Sequence, residues 1–193
     1  MHVLLRYTTA MGEEPSDKTL VQQTLQDAEA YRHIIDRYRA KLLRYINHLG
    51  AREHSQQEDI LQDVFIKTYR YLNAYNNDFP FSSWIYRITH NETMSYFRKK
   101  KLQPLSLEQL NIVDFFSEEQ AHTEETIDVE RIKELIKTLD QKYTDVIVLK
   151  YFEEKSYDEI ADILQKPPGT IATLLNRAKQ KLKILLEKKD YER

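Results

Sequence analysis

The chain has 193 residues, with 29 Lys and Arg against 31 Asp and Glu, so its formal net charge at pH 7 is only −2. Three glycines and five prolines, combined with apolar residues that recur every three or four positions, predict an all-α protein of two small helical domains. The lack of cysteine excludes disulfides, cysteine-ligated metals and a thiol nucleophile. No apolar run approaches the roughly 20 residues that span a bilayer. We therefore expect a cytoplasmic protein without membrane insertion.

The first ten residues do not have the pattern of a signal peptide, because Arg6 interrupts their short apolar core. Met11 could serve as an alternative start, a hypothesis that the mass of the natively expressed protein would test. We expect residues 1–18 to form an N-terminal tail that precedes the first domain.

Apolar residues at helical spacing across residues 20–49 predict one long helix, or two helices with a break near Asp27. Gly50 is a typical residue just after a helix end. Ser55 and Glu58 have the spacing of a capping box, in which each side chain bonds to the backbone N–H of the other residue. This pair predicts a helix that begins just after Ser55.

Turn-forming residues 73–80 separate that helix from the following one, which Ser82 or Ser83 can cap. The following helix interleaves aromatic and basic residues and ends in four consecutive cations at residues 98–101. Such interleaving favours binding to single-stranded nucleic acid, since rings stack on bases and cations hold phosphates. The alternative is that the rings pack in the core, which leaves Tyr86 and the cations unexplained.

Residues 103–128 carry seven acidic residues and no Lys or Arg. Their apolar side chains are scattered without a sustained period, which predicts an acidic flexible linker between the two domains. The near-neutral total charge therefore conceals two basic surfaces separated by an acidic connector.

The second domain is predicted to contain a helix-turn-helix without a wing. Ser156 and Glu159 form a second capping box, which predicts a helix from Tyr157 onwards. Residues 165–169 (QKPPG) must end that helix, because proline lacks the backbone N–H that would continue it. Thr170 is expected to cap the second helix, whose basic residues lie largely outside its apolar stripe, as in a helix that enters a DNA major groove.

Three motifs follow one another along the chain. Residues 58–65 read EDILQDVF, residues 81–91 read FSSWIYRITHN, and residues 156–161 read SYDEIA, followed by PGTI at 168–171 and NRAK at 176–179. Together they resemble the bacterial sigma factors of the short extracytoplasmic-function (ECF) group. The first motif is similar to the polymerase-binding helix of region two, the second to its promoter-melting helix, and the third to region four.

The resemblance implies a protein that binds core RNA polymerase, recognises the −35 and −10 promoter elements as duplex and single-stranded DNA, and assists strand opening. It implies no catalytic site, no cofactor and no metal. Residues 19–102 would form region two and residues 129–193 region four, with the acidic linker in the place of region three. An anti-sigma factor, which in many relatives is anchored in a membrane, is a further implied partner.

Three sets of side chains correspond to functional positions of the family. The set implied to contact polymerase is Glu58, Asp59, Gln62, Asp63 and Phe65. The set implied to bind the −10 element and the melted strand is Asn76, Asn77, Asp78, Phe79, Phe81, Trp84, Arg87, Asn91, Arg98, Lys99, Lys100 and Lys101. The set implied to face the −35 element is Gly169, Thr170, Thr173, Asn176, Arg177 and Lys179.

The sequence departs from the family pattern at a few positions. Many relatives have basic residues where this chain has Ala172 and Leu174, and neither of these can donate a hydrogen bond to a base or phosphate. Recognition of the −35 element would then depend on DNA shape, on Asn176, or on methyl contacts from Ala172 and Thr173. In the region-two helix, Ser95 stands where an Asp is frequent.

Two other classes of function remain open. An autonomous helix-turn-helix regulator would explain the second domain but not the motifs of the first. An enzyme of nucleic-acid metabolism would need a catalytic cluster, and the sequence has no HExxH motif and no Gly-rich phosphate loop. His48 and His90 are interpreted as surface or half-buried helix residues rather than metal ligands.

Overall fold

The computed structural model describes residues 14–100, 135–136 and 138–190, with side chains described as far as residue 185. Every regular element in these ranges is helical, which confirms the predicted all-α class. Residues 1–13, Lys101 and the predicted acidic linker at residues 103–128 lie outside the described residues. Within the described part, no helix is long and apolar enough to cross a membrane.

The first domain contains four α-helices and two short 3₁₀ turns. The helices are α1 (Asp17–Gln26), α2 (Tyr31–His48), α3 (His54–Arg70) and α4 (Phe81–Lys100), and the turns are Ala28–Ala30 and Leu72–Ala74. Apolar side chains from all four helices meet in the core of this domain. Its large, fully buried members are Leu20, Ile34, Leu42, Tyr45, Ile46, Ile60, Leu61 and Ile85. This core fixes the directions in which the outer faces of α3 and α4 point.

The predicted break near Asp27 is confirmed. Asp27 has an extended backbone (φ −140°, ψ 111°), and its side chain accepts a hydrogen bond from the backbone N–H of Glu29. Short polar side chains that bond to nearby backbone compete with helix formation, so the chain bends between α1 and α2. α1 begins at Asp17 behind the capping residue Ser16, and therefore within the segment 1–18 that was predicted as a tail.

The start predicted for α3 is wrong by two residues. The helix begins at His54, so Ser55 lies inside its first turn and does not cap it. The carboxylate of Glu58 instead accepts two hydrogen bonds from the guanidinium of Arg39 on α2, at 2.6 and 2.8 Å. The guanidinium donates two bonds between opposite charges, whereas the backbone N–H of Ser55 could donate only one. Glu58 therefore links α3 to α2 and does not close a capping box.

The start of α4 also differs from the prediction. The helix begins at Phe81, and the carbonyl of Pro80 accepts a hydrogen bond from the N–H of Trp84 at 3.3 Å. Ser82 and Ser83 thus lie inside the helix, and the hydroxyl of Ser83 is buried without a hydrogen-bond partner. Phe81 is only 3% exposed, so burial of its ring positions this helix start.

The second domain carries the helix pair that the sequence predicts. Its elements are α5 (Gln141–Ile147), a π turn (Val148–Phe152), α6 (Tyr157–Leu164) and α7 (Pro168–Asp190). The capping box of Ser156 and Glu159 is confirmed, because both of its backbone bonds are present, at 3.2 and 2.9 Å. Gln165 adopts a left-handed conformation (φ 54°) after α6, which turns the chain sharply towards α7.

The cap predicted for α7 is wrong. The helix begins at Pro168, so Thr170 lies in its first turn, where its N–H bonds to the carbonyl of Pro167 at 2.9 Å. Proline suits the first helical position because that position needs no N–H donor and the φ of proline is already helical. The two prolines that end α6 therefore also start α7.

The two domains pack against each other through α4 and α6. Buried residues of both domains form one continuous apolar cluster. α4 consequently has one face in the core of the first domain and another face against the second domain.

Candidate functional site

The structure separates the predicted polymerase-binding side chains of α3 into two groups. The first group is accessible: Glu58 is half-buried, and the exposed residues are Asp59, Gln62 and Asp63. Phe65 is instead buried, with 8% of its surface exposed, and its ring meets the ring of Tyr31 edge-on at 6.4 Å. The polar members can therefore meet a partner directly, whereas Phe65 supports the helix from inside.

A groove of about 930 Å³ lies between α2 and α3 beside these polar side chains. Its lining includes Tyr31, Ile35, Arg39, Glu58, Leu61, Phe65, Ile66 and Tyr69. Ile66 and Tyr69 remain 47% and 46% exposed, so apolar surface is open to solvent beside charged residues. This combination is typical of protein interfaces, in which aromatic and aliphatic anchors are surrounded by a polar rim.

Ile66 is absent from the predicted site because the motif that carries the resemblance ends at Phe65. The sequence did contain an indication of its role, because Ile66 is a large aliphatic residue on the polar face of a helix. Such a residue is not stabilised by burial in the core, which suggests a partner. The groove adds Ile66 and Tyr69 to the candidate polymerase-binding surface.

The loop before α4 exposes most of the side chains that were assigned to the −10 element. The exposed residues are Asn76, Asn77, Asp78 and Phe79. Asn76 accepts a hydrogen bond from the N–H of Asp78 at 3.0 Å, and the hydroxyl of Tyr75 donates to the carbonyl of Phe79. These bonds hold the loop in a turn that presents Phe79, which is 53% exposed. The loop thus offers one free ring beside polar amide and carboxylate edges.

Phe81 differs from the rest of this set. Its ring is buried and packs edge-on against Tyr38 at 5.6 Å and Tyr75 at 5.3 Å. Trp84 is half-buried and lies 5.6 Å from the Phe81 ring. Phe81 is therefore part of an aromatic cluster that supports the loop, and it is not available to stack on a base.

The α4 side chains assigned to the melted strand also differ in accessibility. Asn91, Arg98, Lys99 and Lys100 are exposed along one half of the helix. Arg87 is half-buried, and its guanidinium lies 3.4 Å from a carboxylate oxygen of Asp162 on α6. The basic end of α4 is thus open to solvent, while Arg87 is engaged by the second domain.

The candidate −35 surface lies on the first half of α7. Its exposed residues are Gly169, Thr170, Thr173, Asn176 and Arg177. Lys179 is half-buried, and its ammonium lies 5.9 Å from the ring centroid of Tyr151. Leu174 is buried at 8% exposure, so the position that is often basic in relatives belongs to the core here. The outer face therefore combines hydroxyl, amide and guanidinium groups.

Among the residues that the structure describes, four pairs of a basic or histidine side chain with a carboxylate connect the domains, and all four have the same orientation. The cation or histidine always belongs to the first domain and the carboxylate to the second. The pairs are Arg44–Glu153, His48–Glu153, Arg87–Asp162 and His90–Asp145. No group of three or more His, Asp or Glu among the described residues could hold a metal ion. The two histidines thus face carboxylates of the other domain.

The chain matches the family models for sigma-70 region 2 over residues 34–103 and sigma-70 region 4 over residues 129–182. It is 31% identical over 177 residues to the ECF RNA polymerase sigma factor SigW of Bacillus subtilis strain 168, covering 86% of this chain and 94% of that protein. The chain belongs to the ECF RNA polymerase sigma factors.

Solved structures of sigma factors share the fold of this ECF sigma factor. CnrH, solved in complex with the cytosolic domain of CnrY, superposes with a TM-score of 0.66 at 22% identity, over 90% of this chain and 98% of that one. The sigma factor RpoE of Bartonella quintana, solved with the anti-sigma factor NepR, gives a TM-score of 0.60 at 19% identity, over 81% and 96% of the two chains. The two family models cover both domains, so they do not favour the autonomous regulator, which accounts only for the second.

Proposed function

We propose that this ECF sigma factor binds core RNA polymerase through the groove between α2 and α3, places α7 on the −35 element and holds the melted −10 strand on the loop before α4. The observation that carries the proposal is the match to region 2 and region 4 within one chain. A two-domain sigma factor needs three separate surfaces, for polymerase, for duplex and for single strand.

The polymerase surface rests on the chemistry of the groove. Ile66 and Tyr69 supply apolar anchors, while Asp59, Gln62 and Asp63 form a polar rim on the same helix. Anchors supply most of the binding energy at protein interfaces, whereas rim charges set orientation and association rate. Phe65 contributes by fixing the anchors in place.

The single-strand surface rests on Phe79 and the basic end of α4. A base that leaves the duplex loses a few kcal/mol of stacking and pairing, which stacking on an exposed ring can offset. Asn76 and Asp78 offer hydrogen-bonding edges beside that ring. Arg98, together with the lysines that follow it, would bind the backbone of the displaced strand.

The duplex surface rests on α7, whose outer face has few cations for a DNA-reading helix. Arg177 and Asn176 can donate hydrogen bonds to base edges or phosphates, and Thr173 can contact a thymine methyl group. The Thr173 hydroxyl donates to the Gly169 carbonyl at 2.8 Å, which restrains its rotamer. Part of the −35 preference would therefore come from DNA shape.

The protein would act in the cytoplasm by binding and positioning polymerase, and not by catalysing a reaction of its own. An anti-sigma factor is proposed as a further partner, because RpoE of Bartonella quintana was solved with one. The partner could contact both domains of this chain at once, since the domains already lie side by side.

The proposal is tested by transcription in vitro with core polymerase and a pool of genomic fragments. We expect specific transcripts only when this protein is added, and loss of those transcripts when Ile66 is replaced by Lys. Protection of duplex DNA by the protein alone, at physiological salt and without polymerase, would support the autonomous regulator and contradict the proposal.

A further inference from the structure

The second domain presents an acidic face to the first domain. This acidic face consists of Asp145, Glu153 and Asp162, which lie on three different elements: α5, the residue after the π turn, and α6. Each carboxylate faces a basic group or histidine on α2 or α4. An interface held only by apolar packing would not need this uniform polarity.

Glu153 is the most deeply buried member of the acidic face, with a side chain that is 0% exposed. One carboxylate oxygen lies 2.9 Å from Nδ1 of His48, and the other accepts a hydrogen bond from the Tyr86 hydroxyl at 2.8 Å. The guanidinium of Arg44 lies 3.4 Å from the second oxygen. A buried carboxylate is costly unless it is paired. All three of these partners belong to the first domain.

Tyr86 remains a hydrogen-bond donor to this carboxylate. Burial, followed by the negative charge of Glu153, raises the pKa of the Tyr86 phenol well above its ordinary value. The ammonium of Lys155 lies 4.5 Å from the centroid of the same ring and adds a cation–π contact from the second domain. The two domains are therefore joined by directional contacts that surround the Glu153 carboxylate.

Asp162 brings the acidic face onto the proposed path of the melted strand. Its carboxylate lies 3.4 Å from the Arg87 guanidinium, and one of its oxygens is buried without a hydrogen-bond partner. A phosphate group has the charge and the acceptor atoms that Arg87 meets in Asp162. Carboxylate and phosphate therefore compete for one guanidinium.

We propose that the acidic face acts as an internal substitute for nucleic acid, which holds the second domain on α4 and must be displaced before α4 can bind the promoter strand. The contact between the acidic face and the first domain does not depend on the proposed function. Its inhibitory effect does, because it requires that α4 binds the promoter strand. In the free protein Arg87 is neutralised by Asp162, and α6 packs against α4 there, while the basic end of α4 stays exposed. Separation of the domains would free Arg87 and leave Glu153 in water, where its charge is no longer costly.

The closed arrangement can be measured without polymerase or DNA. The chain has no cysteine, so Ala40→Cys on α2 and Gln180→Cys on α7 introduce two thiols at exposed positions. A mixture of donor and acceptor dyes then labels these two positions and no others. In the full-length labelled protein, we expect Glu153→Lys to lower energy transfer between the dyes. Glu154→Lys is the matched control, because it makes the same charge change at an exposed neighbouring position. Unchanged transfer in Glu153→Lys would overturn the proposal.

A charge swap distinguishes a broken ion pair from a misfolded domain. Arg87→Asp and Asp162→Arg should each lower the energy transfer, because each places two like charges side by side. The double variant should restore it, since the pair is then reversed but intact. Domains that fold poorly would not be repaired by the second substitution. Failure of the double variant to recover any transfer would contradict the specific role of this pair.

The inhibitory effect is tested with a fluorescent single-stranded oligonucleotide and free protein. We expect Asp162→Asn to bind it roughly tenfold more tightly than the unmodified protein. This is the change expected if about a tenth of the unmodified protein is in the open, binding-competent state and the variant is almost entirely open. Lower energy transfer without tighter binding would show that the interface between the domains is only structural and would overturn the inhibition. If the holoenzyme instead fails to transcribe while the dye measurements agree with expectation, the proposed function fails and the closed arrangement stands.

Discussion

The hydroxyl of Tyr86 in the first domain donates a hydrogen bond to the fully buried carboxylate of Glu153 in the second, at 2.8 Å. Tyr45 lies beside it, with its ring centroid 5.0 Å from that of Tyr86, yet its own buried hydroxyl has no hydrogen-bond partner. The hydroxyl of one tyrosine is therefore paired and that of its neighbour is not, so removing each hydroxyl by mutation to Phe is an informative comparison.

Tyr86→Phe should therefore lower the free energy of unfolding by about 1.5–3 kcal/mol, the usual contribution of a hydrogen bond to a charged group. Tyr45→Phe should be neutral or slightly stabilising, because it removes a buried polar atom that has no partner. Denaturant unfolding of both variants measures the difference. Equal effects in the two variants would mean that the Tyr86–Glu153 bond does not contribute.

The aromatic residues on either side of Pro80 should respond in opposite ways. Phe81→Ala removes a buried ring and should lower stability by about 3–5 kcal/mol. Phe79→Ala should leave stability within about 0.5 kcal/mol but weaken binding of a −10 single strand by about 1–3 kcal/mol. Thermal melting and oligonucleotide binding are measured on both variants. A stable Phe79→Ala protein with full strand affinity would remove Phe79 from the site.

The α3 helix offers a similar comparison. Phe65→Ala should destabilise the protein, whereas Ile66→Lys should keep the melting temperature and lose co-purification with core polymerase. The reason is that Phe65 is buried and Ile66 is exposed beside the groove. Retained polymerase binding in a folded Ile66→Lys protein would place the polymerase surface elsewhere.

The basic end of α4 should determine part of the salt dependence. Replacement of Arg98, Lys99 and Lys100 by Ala should weaken single-strand binding and reduce the slope of log affinity against log salt by about 0.7 for each phosphate that is no longer neutralised. The slope is obtained from binding isotherms at several salt concentrations. A slope equal to that of the unmodified protein would show that these cations are only solvated.

The start of α6 should be sensitive to acid. Burial raises the pKa of Glu159, but hydrogen bonds from Ser156 and the nearby Lys155 ammonium outweigh burial and lower the pKa below its ordinary value of 4.5. A carboxylate with a lowered pKa stabilises the fold above its unfolded-state pKa, and this contribution is lost as pH falls through the folded-state value. As the pH falls through 4.5 and below, unfolding of the natural protein should therefore depend more steeply on pH than unfolding of Glu159→Gln. Parallel curves would contradict this.

Features with a local physical cause could be predicted from the sequence. The Ser156–Glu159 capping box and the break at Asp27 depend on side chains that bond to backbone within three residues, so the pattern alone identifies them. Ser55 has the same pattern but no cap, because Glu58 is drawn to Arg39 nineteen residues earlier in the chain. A sequence motif shows which local hydrogen bonds are possible, but it does not show whether a residue far away in the sequence binds the same side chain.

The exposure of the candidate site residues could be predicted where it follows the helical periodicity of the sequence. Most polar residues of α3 and of the outer face of α7 are exposed as expected, although Glu58 and Lys179 are half-buried. Phe65 is buried with the other apolar residues of α3, as periodicity predicts, whereas Phe81 is buried by contacts with Tyr38 and Tyr75. The pairing of Arg87 with Asp162 could not be found, because nothing in either segment indicates that α4 and α6 meet. Contacts between domains depend on their relative placement, which periodicity does not encode.

Strand opening by this protein is measured by the permanganate reactivity of thymines in the −10 element of a promoter identified by transcription in vitro. We expect reactive thymines only when this protein and core RNA polymerase are both present, and we expect them to be lost in a Phe79→Ala holoenzyme that still binds the promoter. Thymines that stay unreactive with the complete holoenzyme, or that react with equal strength in the Phe79→Ala holoenzyme, would contradict the proposed role in strand opening.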